Sequence, residues 1–172
     1  MYMKKVFKIL GWLLLIGFVV IQFFRPEKNL QKGISANHIS TKYSIPADVN
    51  PILEKACYDC HSNNSRYPWY YNIQPVGIWM DDHIKEGKNG LNFSEYTNKR
   101  LRYQYHKMEE VIEVLDEGAM PIDSYTWTHK DAVLTPEEKS KLKTWAQSIM
   151  DTLESQYPID SLKRPNPPPP QK

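Results

Sequence analysis

The stretch EKACYDCHSNNSRYPWYY, residues 54–71, contains both cysteines of the chain, followed directly by a histidine. Cys57 and Cys60 are three positions apart, so on one helical turn their thiols face the same direction. A haem has vinyl groups on two neighbouring pyrrole rings, and thiols at this spacing can add to both as thioethers. His61 then lies where its imidazole can bind the iron. Because C-x-x-C-H is the attachment pattern of c-type haem, the motif predicts a single, covalently attached haem c.

Other uses of two closely spaced cysteines compete with this interpretation. A redox dithiol of the thioredoxin type needs a βαβ context, which the sequence does not show. A structural zinc site needs a full tetrahedral set of ligands, whereas the histidines His83, His106 and His129 are scattered singly. A disulfide across two intervening residues would be strained and would close a trivial loop. Haem attachment remains the favoured interpretation.

The iron needs a second axial ligand, and methionine or histidine is the usual choice. We predict Met120, because it follows a predicted helix end and precedes Pro121, which restricts the backbone beside the sulfur. His83 is the alternative ligand. It shares an apolar helical face with Trp79, which we expect to contact the cofactor, and a hydrogen-bonded core histidine is the commoner explanation there. A third arrangement leaves the distal side open or bound to water.

The N-terminus reads MYMKKVFKILGWLLLIGFVVIQFFRPEKN, with three lysines before an apolar run over Ile9–Phe24. Crossing a bilayer takes about 20 apolar residues, and Lys8 can snorkel so that the span starts earlier. The run ends in FFRP, without the small residues of a signal-peptidase site. The pattern therefore predicts an uncleaved transmembrane signal anchor over residues 1–25 rather than a cleaved signal peptide. The lysines would stay in the cytoplasm, and the following domain would lie in the bacterial periplasm.

Helical signals dominate the rest of the chain. Asn50-Pro51 offers an N-cap and N1 pair just before the cysteine motif. A longer amphipathic stripe is stopped by Gly118. The clearest helix begins at Thr135-Pro136-Glu137-Glu138, a capping box with proline at N1. Its apolar face repeats at helical spacing through Leu142, Trp145, Ala146, Ile149, Met150 and Leu153.

No internal repeat and no convincing strand alternation accompany these signals. We therefore predict an all-α fold with about four short helices between residues 46 and 157. Residues 26–45 are interpreted as a polar linker, and residues 158–172 as a proline-rich tail that cannot pack a core. Because so small a helical set buries little apolar surface, a large flat apolar ligand would extend its core.

The charge pattern gives no argument for nucleic acid as a partner. The formal net charge is +2, and Lys and Arg alternate with Asp and Glu rather than cluster. Haem is the partner that the motif predicts, and the sequence does not name a redox partner protein.

The order ILEKACYDCHS, then MP, then LTPEEKSKLKTWA resembles that of class I cytochromes c. In that group a first helix carries C-x-x-C-H, a loop Met-Pro supplies the distal sulfur, and a C-terminal helix with an aromatic residue crosses the first helix. The resemblance implies a small cytochrome c-like helical domain in which Trp145 packs near the haem edge. The long segment between His61 and Met120, which includes His83, departs from ordinary cytochromes c.

The bacterial haem-binding domain family is more similar still, over about residues 46–147. Its pattern runs C-Y-x-C-H-S-N, W-Y, P-V, H-x-x-E-G, L-N-F-S-E and M-P. These motifs resemble, in the same order, Cys57–Asn63, Trp69-Tyr70, Pro75-Val76, His83–Gly87, Leu91–Glu95 and Met120-Pro121. The resemblance implies haem binding and names no substrate.

Three functions follow, in this order of preference. The first is one-electron transfer by a membrane-tethered monohaem cytochrome c, a carrier without catalysis because both axial positions are filled. The second is a five-coordinate haem sensor or peroxidase-like enzyme, with an open distal side and His83 as a polar helper. The third is an anchored interaction module that docks through its polyproline tail and aromatic loop.

Overall fold

The computed structural model describes residues 2–163, which form helices and loops with no β-strand among them. The all-α prediction is therefore confirmed. Eight α-helices occupy this described part: α1 (Tyr2–Ile21), α2 (Asn50–Ala56), α3 (Tyr58–His61), α4 (Val76–Gly90), α5 (Leu101–Glu117), α6 (Asp123–Thr126), α7 (Pro136–Gln156) and α8 (Ile159–Leu162). Short 3-10 turns lie between them, at Ile39–Thr41, Trp69–Asn72, Phe93–Glu95 and Lys130–Ala132.

The core forms where α5 and α7 pack against each other, with α2 alongside. Apolar residues at helical spacing put one face of each helix into this core. Each fully buried Leu, Ile or Met side chain contributes roughly 1.5–3 kcal/mol of hydrophobic free energy. The buried apolar side chains that these helices supply are Ile52, Leu53, Tyr105, Met108, Leu115, Leu142, Trp145, Ala146, Ile149, Met150 and Leu153.

Local signals set the ends of the two long core helices. At the start of α7, Thr135 Oγ1 accepts the N–H of Glu138 at 3.2 Å, and Glu138 Oε2 accepts the N–H of Thr135 at 2.9 Å. This is the predicted capping box, and Pro136 is the first residue of the helix. At the end of α5, Gly118 adopts φ +71°, the left-handed conformation that glycine takes without strain. Both predicted boundaries are confirmed.

The N-terminal helix corrects a prediction. The apolar run does form a helix, α1, but none of the helices in the described part has the length and apolar character needed to span a membrane. The predicted transmembrane span over residues 1–25 is therefore wrong. Lys4, Lys5 and Lys8 occupy the first two turns, and the remaining apolar stretch is about 20 Å long against a hydrocarbon core of about 30 Å.

Two segments predicted to lie outside the domain contribute to its core. Ile39 and Tyr43, in the predicted linker, are fully or almost fully buried. Leu162, in the predicted tail, is buried as well. The packed domain is therefore longer at both ends than predicted. The polyproline run, for which we predicted a docking role, lies in residues 164–172. These residues are outside the described part of the chain.

Candidate cofactor site

Cys57, Cys60 and His61 lie together on one helical turn. Cys57 is the junction between α2 and α3, and its carbonyl accepts the N–H of Cys60 at 3.2 Å and that of His61 at 2.9 Å. Both cysteines are free thiols. All three side chains line one cavity, so the turn brings together the groups that the motif analysis selected.

This cavity is one of two that adjoin each other, with volumes of about 250 and 220 Å³. Together they reach the size of a pocket for a medium-sized organic ligand, roughly 300–1,000 Å³. The residues common to both are Ala56, Cys57, His61, Gly90, Met120 and Pro121. The smaller cavity extends into the apolar core along Leu53, Phe93, Val111, Val114, Leu115 and Leu142. Such walls suit a large, flat, apolar ligand.

The His61 imidazole is oriented by a backbone carbonyl. Its Nδ1 lies 3.0 Å from the carbonyl oxygen of Leu91, the residue that follows α4. Burial lowers the pKa of His61, although the Leu91 hydrogen bond opposes this change. The ring is therefore neutral at physiological pH, with its proton on Nδ1, and Nε2 presents a lone pair. This is the form in which histidine binds a metal, with a carbonyl fixing the tautomer.

The environment of the thiols bears on the competing interpretations. Burial raises the pKa of Cys57 to about 12 and that of Cys60 to about 11, so both are protonated at physiological pH. Redox-active C-x-x-C pairs have lowered thiol pKa values, which argues against a thioredoxin-type dithiol. Within residues 2–163, no three His, Cys, Asp or Glu side chains are grouped so that they could hold a metal ion. A structural zinc site therefore lacks its ligand set there.

Helix α4 packs directly on the cysteine turn at Gly87. A Cβ at this position would stand 2.6 Å from the carbonyl oxygen of Cys60 and 3.0 Å from its Cβ. Glycine is therefore required for the close approach. The same close packing of α4 places the Leu91 carbonyl, one turn later, within hydrogen-bond distance of His61.

Gly87→Ala should accordingly destabilise the protein by roughly 1–3 kcal/mol, because the new methyl group meets a backbone atom that cannot rotate away. The helix-propensity gain of alanine, at most about 1 kcal/mol, is smaller. Denaturant unfolding measures the change. Asn89→Ala, at an exposed position of the same helix, is the control and should stay within about 0.5 kcal/mol of wild type. A Gly87→Ala protein as stable as the control would contradict the close-packing account.

His83 lies one turn before Gly87 on α4. It lines the larger cavity, its Nδ1 is 2.9 Å from the Trp79 carbonyl oxygen, and its ring packs on the Trp79 indole with centroids 4.5 Å apart. The Trp79 side chain is 45% exposed and lines neither of the two adjoining cavities. The residue predicted to contact the cofactor thus lies beside His83, toward solvent.

Met120 enters from a different segment, the connection between α5 and α6. It is half-buried and lines both cavities, as His61 does. His83, in contrast, belongs to the helix whose C-terminal end already holds His61. Met120 and His61 therefore come from separate parts of the chain and meet at one cavity.

Trp145 lies one side chain away from the cavities. It is buried, its Nε1–H donates to the Ser44 carbonyl oxygen at 3.1 Å, and its ring packs on Phe93 with centroids 6.1 Å apart. Phe93 lines the smaller cavity and Trp145 does not. Phe93, rather than Trp145, therefore forms part of the cavity wall.

Two polar groups at the site were not identified from the sequence. Asp59, inside the C-x-x-C-H motif, is buried and accepts hydrogen bonds from Arg66 and from the hydroxyl of Tyr125. Lys107 and Glu110 form an ion pair on the wall of the smaller cavity. Asp59 meets Arg66 and Tyr125 only in the folded chain, and Lys107 and Glu110 are three positions apart, a common spacing on any helix. Neither arrangement follows a sequence motif.

Comparison with known proteins gives one match. A family model described as a haem-binding domain matches residues 16–148 of the chain, which includes every residue lining the two cavities. No curated protein and no solved structure matches significantly.

Proposed function

Because this chain belongs to the haem-binding domain family, we propose that it holds a single covalent haem c and serves as a one-electron carrier. The observation that supports this most is the meeting of Cys57, Cys60, His61 and Met120 at one continuous apolar space. The residues at this site fit a haem, because they offer two thiols on one turn, a neutral imidazole with a free Nε2, and apolar walls. The relation to class I cytochromes c remains a prediction.

Each residue has a defined role in this proposal. Cys57 and Cys60 would hold the haem by adding S–H across its two vinyl groups, each addition forming one C–S bond and one C–H bond on the neighbouring carbon. His61 Nε2 would bind the iron, and the Leu91 carbonyl keeps the imidazole in the tautomer that can do so. Met120 would supply the second ligand to the iron. The bound haem supplies an Fe(III)/Fe(II) couple.

The protein tunes this couple through its ligands and its walls. A His/Met pair gives a higher reduction potential than a His/His pair. The apolar lining keeps water away and disfavours the more highly charged ferric state. If His61 and Met120 both bind the iron, no coordination site remains for a substrate, which favours a carrier over an enzyme.

The competing function is a five-coordinate haem that binds a small ligand such as peroxide, NO or CO. The observation that favours it is the position of His83 on the wall of the larger cavity, where a polar group could assist a bound ligand. The identity of the distal ligand decides between the two functions.

A pyridine haemochrome spectrum of the full chain, made together with the c-type maturation machinery, tests the proposal. We expect the spectrum of a haem with two thioethers, and haem that stays with the protein in acid acetone. Extraction of all the haem into acid acetone would contradict covalent attachment.

We also propose that the domain works in the periplasm. The support is the N-terminal order of lysines followed by an apolar helix, which is typical of an export signal. Protease added to spheroplasts should digest an exported domain, or the domain should appear in the periplasmic fraction. Digestion only after lysis of the spheroplasts would place it in the cytoplasm and contradict the proposal.

A further inference from the structure

A hydrogen-bonded link joins the segment after Met120 to the turn that carries the cysteines. Tyr125 lies on α6, five residues after Met120. Its hydroxyl donates to Asp59 Oδ2 at 2.8 Å and lies 3.2 Å from the Lys55 carbonyl oxygen. Asp59 stands between the two cysteines, so the link runs from the predicted distal segment directly to the haem-attachment turn.

Asp59 is a fixed point for this link. It is only 7% exposed, and its carboxylate accepts the backbone N–H of Arg66 at 2.9 Å and two guanidinium N–H groups at 3.2 Å. The guanidinium also donates to the Glu54 carbonyl oxygen at 3.0 Å. A buried carboxylate with several charge-assisted hydrogen bonds is expensive to disturb, which makes Asp59 a firm anchor.

The segment that carries Met120 has another fixed end at α5. Gly118 closes that helix, and the N–H of Ala119 donates to the Val114 carbonyl oxygen at 2.9 Å. Between residues 119 and 126, the Tyr125 hydroxyl makes the only side-chain or backbone hydrogen bonds to α2 or α3 within the described part of the chain. Tyr125 itself lines the larger cavity beside Met120.

From these contacts we propose that Tyr125 is a positioning residue that holds the Met120 thioether at the iron through its hydrogen bond to Asp59. The inference rests on the proposed function, in which Met120 is the distal ligand. The Tyr125 ring adds a second constraint, since it stacks on the His129 imidazole with centroids 4.1 Å apart and planes 10° apart. The hydroxyl fixes the distance to the turn of Cys57, Cys60 and His61, and the stacked ring fixes the orientation of the Tyr125 side chain within its own segment.

Tyr125→Phe tests this role in the full, haem-loaded chain. The change removes the hydroxyl and keeps the stacked ring. We expect most of the weak methionine–iron(III) charge-transfer band at the red end of the spectrum to be lost. The reduced protein should also bind CO where wild type does not, and the reduction potential should fall. Haem content should stay at the wild-type level, because the thioethers and His61 are untouched.

Tyr70→Phe is the matched control. Its hydroxyl donates to Thr128 Oγ1 at 2.8 Å, so the variant also loses one tyrosine hydrogen bond near α6 but leaves Asp59 alone. It should keep the band and the potential of wild type.

The outcomes separate the two proposals. A wild-type protein with the band, together with a Tyr125→Phe protein that keeps it in full, would overturn the positioning role and leave the proposed function standing. Equal loss of the band in Tyr125→Phe and Tyr70→Phe would also overturn it, because a general loosening would then explain the effect. A wild type without the band would overturn both.

Discussion

Replacing both Cys57 and Cys60 by alanine should abolish covalent haem attachment, the largest effect we expect from any change in this chain. Each single variant should keep one thioether, so its pyridine haemochrome spectrum should shift toward that of a haem with one free vinyl group. The double variant should lose all its haem to acid acetone and give no haem-dependent peroxidase stain on a denaturing gel. The chain has no other cysteine that could substitute.

The physical reason is that attachment depends on both thiols facing one cavity from a single turn. The two hydrogen bonds to the Cys57 carbonyl hold that turn, and Gly87 lets α4 close over it. The single variants control for each other, because any thioether left in one of them identifies the remaining cysteine as its source. A double variant that keeps haem resistant to acid acetone would contradict attachment through this motif.

How far the sequence predicts this structure depends on the distance along the chain over which each interaction acts. The capping box at Thr135 and the turn of Cys57, Cys60 and His61 rest on residues within a few positions of one another, and their spacing alone indicates the geometry. The left-handed end of α5 at Gly118 is equally local. These three features could be predicted from the sequence alone.

Contacts between residues that are far apart in the sequence could not be predicted in this way. The bond from His61 to the Leu91 carbonyl spans 30 positions, and the bond from Tyr125 to Asp59 spans 66. No spacing of residues in the sequence indicates either of these hydrogen bonds. Gly87 lies inside α4, which runs to Gly90, and its missing side chain serves the contact with Cys60 rather than a turn.

Two further differences have physical causes of the same kind. The indole of Trp145 finds its hydrogen-bond partner at Ser44, 101 positions away, and this draws the ring into the core behind Phe93. Ile39 and Tyr43 are buried although their segment shows no periodicity, since irregular backbone can cover a core without a repeating pattern. Such packing is decided by the folded chain as a whole.

Met120→Ala should remove the distal ligand and change the haem spectrum more than any other single substitution outside C-x-x-C-H. The methionine–iron(III) band should disappear, the reduction potential should fall, and the ferrous iron should bind CO, because a small apolar side chain leaves the axial position open. Met80→Ala is the matched control: Met80 is a half-buried methionine on α4 that lines neither of the two adjoining cavities. Its spectrum should be that of wild type.

His83→Ala completes this comparison and decides between Met120 and His83 as the distal ligand. The His83 ring packs on the Trp79 indole, and its helix is the one whose C-terminal end holds His61, so the spectrum should stay nearly intact. The cost should be one solvent-exposed hydrogen bond and some packing, on the order of 0.5–1.5 kcal/mol in the free energy of unfolding. The opposite pattern, in which His83→Ala yields a CO-binding haem and Met120→Ala is silent, would make His83 the distal ligand. A bis-histidine carrier of lower potential would then be the better description, since the His/Met pair is what raises the potential in the present proposal.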